Sequence, residues 1–224
     1  MTTIAIITAM ESEFNAIKRL YEFEENQGVM TAIAHGKTIY LLKSGIGKVN
    51  AALKADFAIR KGADIVITTG LAGGIDNRLE QGSIVLAEKV CYHDVWCGSP
   101  NHKGQVQALP LYYELKDGLK NVFQTLVDNK GYNRGLTVTG DQFLTDVNRL
   151  KQIKPDFPDA LAVDMESAAI AQTCYLNNTP YISLRIISDV VGKEGQVDEY
   201  NNFWQNVPTL ASTMVDDVLQ LITL

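Results

Sequence analysis

The chain has 224 residues, of which 46% are hydrophobic and 21% are charged, and its formal net charge is −6. This length predicts a single α/β domain over residues 1–224, and the composition excludes a disordered chain. No apolar run reaches 18 residues, which argues against a membrane partner, and the acidic balance without a basic stripe argues against nucleic acid.

The N-terminal stretch MTTIAIITAM is typical of a first strand, because no basic region precedes its apolar run as it would in a signal peptide. We therefore expect a cytoplasmic protein. The three cysteines, Cys91, Cys97 and Cys174, form no CxxC pair, which argues against a disulfide framework and against a zinc site. We expect reduced thiols and neither a metal nor an organic cofactor.

Short aliphatic and β-branched runs alternate with segments of helical periodicity. The predicted strands cover residues 4–9, 29–34, 38–43, 64–69, 83–90, 135–140, 160–164 and 181–188. The predicted helices cover residues 11–23, 48–61, 112–129, 166–177 and 202–222. Several strands are apolar throughout, which is typical of a sheet covered on both faces, and residues 29–43 predict an antiparallel hairpin. The pattern predicts a three-layer α/β fold with a mixed, mostly parallel central sheet flanked by helices.

Acidic residues follow several of these strands, in the stretches TAMESE, TGDQF, VDMES and ISD. Ligands of such sheets bind beyond the carboxyl ends of the strands, so these stretches predict a polar pocket. Asp189 is the best candidate for a general acid, since a half-buried carboxyl group can have a raised pKa; the alternative is a helix cap or a turn. Of Glu11 and Glu13, only one is expected to face the pocket, and the alternative for both is an interaction with the helix dipole.

The stretch LAVDMESAAIA places Asp164 and Glu166 among apolar residues. Capping of the following helix explains Asp164 well, but it explains Glu166 less well. Arg185 lies inside the last apolar strand. A structural ion pair is the favoured interpretation of this arginine, and a substrate contact is the alternative.

Two glycine-rich stretches, residues 44–49 and 69–75, are predicted to be turns that a ligand can approach closely. Neither has the spacing of a Walker A loop, and no arginine lies in or directly beside TTGLAGG, which favours a neutral ligand over a phosphate. The segment CYHDVWCGSPNHKG, residues 91–104, is interpreted as a pocket lid or a subunit contact.

Seven stretches in this order, IAIITAMESE, LLKSGIGKVNAA, TTGLAGGI, YHD, TGDQF, VDMESAAIA and RIISDV, resemble the 5′-methylthioadenosine/S-adenosylhomocysteine nucleosidases of the purine nucleoside phosphorylase superfamily. The resemblance covers nearly the whole chain. It implies a nucleoside phosphorylase-like fold, a homodimer, and hydrolysis of the bond between adenine and a 5′-thio-substituted ribose. The small-molecule partner that it implies is therefore a nucleoside.

The resemblance also implies roles for individual residues. Asp189 would protonate N7 of adenine with Ser188 orienting it, and Glu13 would position and deprotonate the attacking water. Glu166 would accept hydrogen bonds from the ribose hydroxyls. Further expected substrate contacts are Met165 on the sugar, Phe143 and the Leu144 backbone on adenine, Ile46 and Tyr200 around the thio substituent, and Gly73.

Two residues depart from the family pattern: Leu71 stands where a small polar residue is expected, and Asp164 replaces a glutamate. The segment over residues 95–110 also differs. Substrate preference therefore stays open, with a futalosine hydrolase or another purine nucleosidase as the nearest alternatives. A phosphorylase or a non-catalytic nucleoside-binding protein is the more distant alternative. Phosphorylases of this superfamily bind phosphate with arginines near the first strand and the TGLAGG-like stretch, where this chain has Glu13 and no arginine.

Overall fold

Strands and helices alternate along residues 1–203 and 207–222, which are the residues that the computed structural model describes. The strands are β1 Thr3–Thr8, β2 Glu24–Asn26, β3 Val29–Ala34, β4 Lys37–Lys43, β5 Ile65–Gly74, β6 Ile84–Tyr92, β7 Tyr113–Glu114, β8 Asn133–Thr139, β9 Ala160–Asp164 and β10 Tyr181–Val190. The helices are α1 Glu11–Lys18, α2 Lys48–Arg60, α3 Asp117–Lys130, α4 Val147–Ile153, α5 Ser167–Leu176, α6 Gln196–Phe203 and α7 Val207–Leu221. Among the described residues, no helix is long and apolar enough to cross a membrane.

The strands form one mixed sheet in the order β10-β6-β8-β9-β5-β1-β4-β3-β2, with β7 beside β6. Strands β4, β1, β5 and β10 are parallel neighbours, and so are β6, β8 and β9. Because β5 pairs with both β9 and β10, the strands β5, β10, β6, β8 and β9 close into a ring. The predicted mixed sheet and the antiparallel hairpin β3–β4 are confirmed.

Helices cover both faces of this sheet, as the apolar strands predict. Successive residues of a strand point to opposite faces, and in β1 Ile4 and Ile6 pack with α1, α3 and α7, whereas Ala5 and Ile7 pack with α2 and α5. The two apolar cores are therefore separated by the sheet, and the three-layer arrangement is confirmed.

Several predicted boundaries are wrong. Helix α1 ends at Lys18 and not at residue 23, and the segment predicted as a helix from residue 112 contains the short strand β7 before α3 begins at Asp117. The short elements β2, α4 and most of α6 were not predicted. Residues 202–222 were predicted as one helix, but they contain the last two residues of α6 and the whole of α7. Residues 204–206, between these helices, lie outside the described residues.

The stretch TGLAGG is not a turn but the second half of β5. It pairs with Leu184–Val190 of β10 and, at Gly73 and Gly74, with β9. Gly70 is required here by packing and not by a left-handed backbone, since a Cβ at this position would lie 2.6 Å from Oε1 of Glu13. The glycines thus let other groups approach the strand closely. Composition alone does not distinguish such a glycine-rich strand from a glycine-rich turn.

Candidate active site

A cavity of about 330 Å³ lies where the carboxyl ends of β1, β5, β9 and β10 meet. All ten residues predicted for the site line it: Glu13, Ile46, Gly73, Phe143, Leu144, Met165, Glu166, Ser188, Asp189 and Tyr200. The structure therefore brings together residues that are up to 187 positions apart in the chain. Four acidic side chains reach this cavity, from Glu13, Asp164, Glu166 and Asp189.

Glu13 lies in the first turn of α1, and its carboxylate is buried. Its Oε2 accepts hydrogen bonds from the amides of Ala9 (3.1 Å) and Met10 (3.0 Å), and its Oε1 accepts one from the amide of Leu71 (3.0 Å). Glu13 both interacts with the N-terminus of its own helix, by capping it, and faces the cavity, so both interpretations made from the sequence hold. Burial raises the pKa of Glu13, while these backbone donors oppose the rise. Its neighbour Glu11 is exposed and pairs with Lys43 instead.

Asp189 reaches the cavity through an irregularity in β10. The pairing with β5 shifts between Ile187 and Asp189, so that Ser188 is an extra residue in the strand. A bulge redirects side chains, and here both Ser188 and Asp189 line the cavity although successive residues normally alternate. The Ser188 hydroxyl lies 2.5 Å from Oδ1 of Asp189. Burial raises the pKa of Asp189, and hydrogen bonds from Ser188 and Gln196 oppose the rise.

Asp164 and Arg185 form a buried ion pair beneath the cavity, with 2.6 Å between Arg185 Nε and Asp164 Oδ2. Arg185 also donates to the Thr68 hydroxyl at 3.0 Å, and Asp164 accepts from the Ser167 amide at the start of α5 at 3.3 Å. The predicted structural ion pair and the predicted capping by Asp164 are thus both present. Arg185 is, however, the partner of Gly70 in the sheet register, so an arginine does lie beside TTGLAGG in space.

Glu166 precedes α5, and capping of that helix does not account for it because its side chain makes no cap hydrogen bond. Its Oε1 instead accepts the amide of Gly47, at 2.9 Å, from the other side of the cavity. Burial is the main reason that the pKa of Glu166 is raised; the nearby charge of Asp164 adds to the rise, and Arg185 opposes it. The carboxyl group is buried at the cavity wall, where a ligand hydroxyl would supply a further partner.

The mouth of the cavity is apolar. Phe143 is 52% exposed, and its ring centroid lies 5.0 Å from that of Tyr200 on α6. Ile46, also 52% exposed, lines the same cavity, as does Met165. This arrangement combines a polar floor with an aromatic and aliphatic entrance, which suits a ligand with one polar and one apolar part.

Comparisons with known proteins agree with this geometry. The family model of the phosphorylase superfamily matches residues 3–220. A 5′-methylthioadenosine/S-adenosylhomocysteine nucleosidase from Lysinibacillus sphaericus is 35% identical over 98% of each chain, and one from Bacillus subtilis is 34% identical over 98% of this chain and 99% of its own. The chain belongs to this nucleosidase family of the phosphorylase superfamily.

Solved structures of such nucleosidases have the same fold. The structure of a putative family member from Borrelia burgdorferi bound to adenine superposes with a TM-score of 0.92, at 33% identity over 98% of this chain and 100% of that one. The nucleosidase from Neisseria meningitidis in complex with methylthio-immucillin-A gives a TM-score of 0.89, at 31% identity over 99% of this chain and 100% of that one. The predicted nucleoside phosphorylase-like fold is confirmed.

In this nucleosidase the segment over residues 91–104 does not contribute to the cavity of its own chain, and the interpretation as a lid of that cavity is wrong. It contains buried His93 and 62% exposed Trp96. Asp94 pairs with Lys48 at 2.7 Å and accepts the Asp141 amide at 2.9 Å, which joins the segment to α2 and to the loop after β8. The alternative interpretation, a subunit contact, stays a prediction.

Gln196, whose side chain donates to Asp189, is a site residue that the sequence did not predict. The surrounding stretch GKEGQVDEY is polar and contains two glycines, which favours a loop, and nothing in it indicates a buried side chain. Only the three-dimensional structure shows that Gln196 is buried beside the candidate acid.

Proposed function

We propose that this chain hydrolyses the N-glycosidic bond of 5′-methylthioadenosine and S-adenosylhomocysteine, releasing adenine and a 5′-thio-substituted ribose. Membership in the nucleosidase family supports this activity. The observation that carries the proposal is the convergence of Glu13, Glu166 and Asp189 on one cavity with an apolar mouth. Chemically, departure of a purine from ribose requires an acid for the base, negative charge near the developing oxocarbenium ion, and a base for water.

Asp189 is the proposed general acid. Its O–H bond breaks as an N7–H bond forms, while the bond between the ribose C1′ and N9 breaks and its electron pair stays with adenine. Burial raises the pKa of Asp189, which keeps the proton available at higher pH than in an exposed aspartate. The leaving group is then neutral adenine and not its anion.

Glu13 is the proposed base for water. A carboxylate has about four acceptor sites, and three of the sites on Glu13 take backbone amides. The remaining site can accept a proton from water as its oxygen bonds to C1′. These fixed donors also hold the carboxylate still, so that the attacking water meets a preorganised partner.

Glu166 is the proposed acceptor for the ribose hydroxyls, with Met165 against the sugar. Phe143 and the Leu144 backbone would contact adenine, Gly73 would permit close approach of the substrate, and Ile46 and Tyr200 would surround the thio substituent. The exposure of Ile46 at the mouth supports a thioether sulfur at C5′, which both substrates share, with the rest of the 5′ substituent near solvent.

Water is the proposed nucleophile in place of phosphate. Arg185 is the one cation among the described residues that line the cavity, and its guanidinium group is bound by Asp164, Thr68 and the Leu184 carbonyl. A phosphate ion there would face carboxylates without an available countercharge.

A homodimer is proposed as the working assembly. Val49 and Leu53 lie one turn apart on α2 and are 70% and 64% exposed, and Trp96 is 62% exposed in the segment that contacts the start of α2. Exposed apolar surface of this kind favours a protein interface. Since Ile46 precedes α2 at the cavity mouth, such an interface would lie beside the site.

A panel of nucleosides tests the substrate assignment. Purified protein is incubated with methylthioadenosine, S-adenosylhomocysteine, adenosine, inosine and futalosine, and the free base is quantified. Base release from the two thio-nucleosides in preference to the other three is the expected result. Preferential release from futalosine or inosine would replace the proposal with one of the related nucleosidases, and no release from any would favour a binding protein.

A further inference from the structure

Gln196, the first residue of α6, is only 5% exposed, although its neighbours Gly195 and Val197 are exposed. It does not line the cavity, so it has no direct contact with a bound nucleoside there. Its side chain instead lies between three parts of the site: the candidate acid Asp189, the Leu144 carbonyl and the Gly192 amide.

The hydrogen bonds of Gln196 fix the orientation of its amide group. Nε2 donates to Asp189 Oδ2 at 2.6 Å and to the Leu144 carbonyl at 2.9 Å, and Oε1 accepts from the Gly192 amide at 2.9 Å. The reversed amide would place oxygen against a carboxyl oxygen and a carbonyl, and an NH₂ group against an N–H donor. Only one orientation therefore satisfies all three contacts.

This orientation distinguishes the two oxygens of Asp189. Since Gln196 directs a hydrogen at Oδ2, that oxygen acts as an acceptor, and the neutral acid carries its proton on Oδ1. While no purine is bound, the Ser188 hydroxyl, 2.5 Å from Oδ1, accepts this proton in a hydrogen bond and directs its own hydrogen to the Ala72 carbonyl at 3.3 Å. When a purine is bound, the Asp189 proton goes to N7, and the Ser188 hydrogen returns to Oδ1. Gln196 and Ser188 together complete the hydrogen bonding of a protonated Asp189.

We propose that Gln196 is a positioning residue for the general acid: it holds the Asp189 carboxyl group in the orientation that protonates the purine and connects it to the base-binding loop at Leu144. The inference rests on the proposed nucleosidase function. If Gln196 had a purely structural role, it would stabilise the start of α6, and its loss would not selectively impair protonation of the leaving group.

Gln196→Met is the informative variant, because it keeps the length of the side chain and removes all three hydrogen bonds. Gln172→Met is the matched control: Gln172 is half-buried on α5, accepts from the Tyr92 hydroxyl and does not line the cavity. Asp189→Asn serves as the reference for complete loss of the acid.

The variants are compared on two substrates, methylthioadenosine and a 4-nitrophenyl 5-methylthioriboside, whose leaving group departs without protonation. We expect Gln196→Met to lose about 10- to 100-fold in kcat on methylthioadenosine, part of the ~10²- to 10⁴-fold typical of acid–base catalysis, with KM changed less than about threefold. Activity on the nitrophenyl riboside should stay near that of the wild type, and Gln172→Met should resemble the wild type on both.

The pH profile gives a second readout. Loss of an N–H donor to the ionised carboxylate raises the pKa of Asp189, so the alkaline limb of kcat/KM should move to higher pH in Gln196→Met. Equal losses on both substrates with an unmoved alkaline limb, or no loss of kcat at all, would overturn the inference. A wild-type protein that releases no adenine would instead refute the proposed function, so the two failures can be told apart.

If thermal melting shows that Gln196→Met does not fold, Gln196→Glu decides the question. A neutral glutamic acid at this position can donate to Asp189, whereas its anion repels the Asp189 carboxylate. Activity relative to the wild type should therefore rise as pH falls, and a ratio that is independent of pH would contradict the positioning role.

Discussion

At the scale of single residues, the carboxyl groups of the cavity are similar in burial but differ in their donors. Among the described residues, Glu13 accepts three backbone amides, whereas the donors to Asp189 are the side chains of Ser188 and Gln196. Three fixed backbone donors favour the ionised form, from which a base must start, whereas the Ser188 hydroxyl can donate or accept, which suits an acid that starts protonated.

Replacement of Asp189 by asparagine removes the proposed proton and keeps the shape of the side chain. We expect kcat for adenine release to fall about 10²- to 10⁴-fold while the nucleoside still binds. Asp159→Asn, on the exposed turn before β9, is the control and should be fully active. Stopped-assay kinetics with nucleoside binding by calorimetry measure both effects, and near-normal turnover by Asp189→Asn would assign the acid to another group.

Glu166 predicts a pH dependence of stability. Because burial raises its pKa in the folded state, the folded protein holds a proton that the unfolded chain has already lost, and stability from this group decreases as pH rises above the usual value of a glutamate, about 4.3. Glu166→Gln removes this titration and keeps an acceptor for the Gly47 amide. The melting temperature of the variant should exceed that of the wild type increasingly from pH 5 to about pH 7, where the raised pKa of Glu166 lies, and the difference should level off above it.

Each kcal/mol that Glu166→Gln adds to the free energy of unfolding should raise the melting temperature by about 2–4 °C in a chain of this size. Glu11→Gln is the control, since Glu11 is exposed and the bond to Lys43 lowers its pKa. Its melting temperature should show no such rise. A difference for Glu166→Gln that stays constant over the pH range would show that burial does not raise the pKa of Glu166.

Among the secondary-structure elements, β5 positions the site because its glycines lie within a continuous strand. Gly70 leaves space for Glu13, and Gly73 leaves space between Val163 and Val191. Gly70→Ala should therefore displace the Glu13 carboxylate and reduce kcat at least tenfold, by analogy with the loss of acid–base catalysis. Gly118→Ala, on the first turn of α3 with no atom within 4 Å of the added methyl group, should keep full activity and gain about 0.5–1 kcal/mol of stability.

Steady-state kinetics and thermal melting of both alanine variants check this prediction. If Gly70→Ala retained wild-type kcat, either the strand tolerates the methyl group or Glu13 does not act in the reaction.

The sequence predicted local features well and long-range ones poorly. Apolar runs locate the strands because most of them are buried between two helical layers, and acidic residues at their ends locate the cavity. The extension of β5 through TGLAGG depends on pairing with β9 and β10, and the bulge at Ser188 depends on the register of β10, neither of which is encoded in a local pattern. Gln196 was missed for the same reason: its burial depends on the Leu144 carbonyl, which lies in the loop after β8.

At the scale of the whole molecule, the exposed apolar residues of α2 predict self-association. Leu53→Asp places a charge in the proposed interface and should produce monomers in sedimentation velocity at micromolar concentration. Ile33→Asp is a matched control, since Ile33 is 63% exposed on β3 and Leu53 is 64% exposed on α2. Dimers in both variants would place the interface elsewhere, and a monomeric, fully active wild-type protein would refute the dimer while leaving the chemistry intact.

The sugar product distinguishes attack by water from attack by phosphate, for which the described residues of the cavity offer only Arg185, already bound by Asp164. Methylthioadenosine is converted to completion in concentrated phosphate, and the sugar is analysed by mass spectrometry. We expect free 5-methylthioribose in an amount equal to the adenine released. A 5-methylthioribose 1-phosphate as the main product would contradict attack by water.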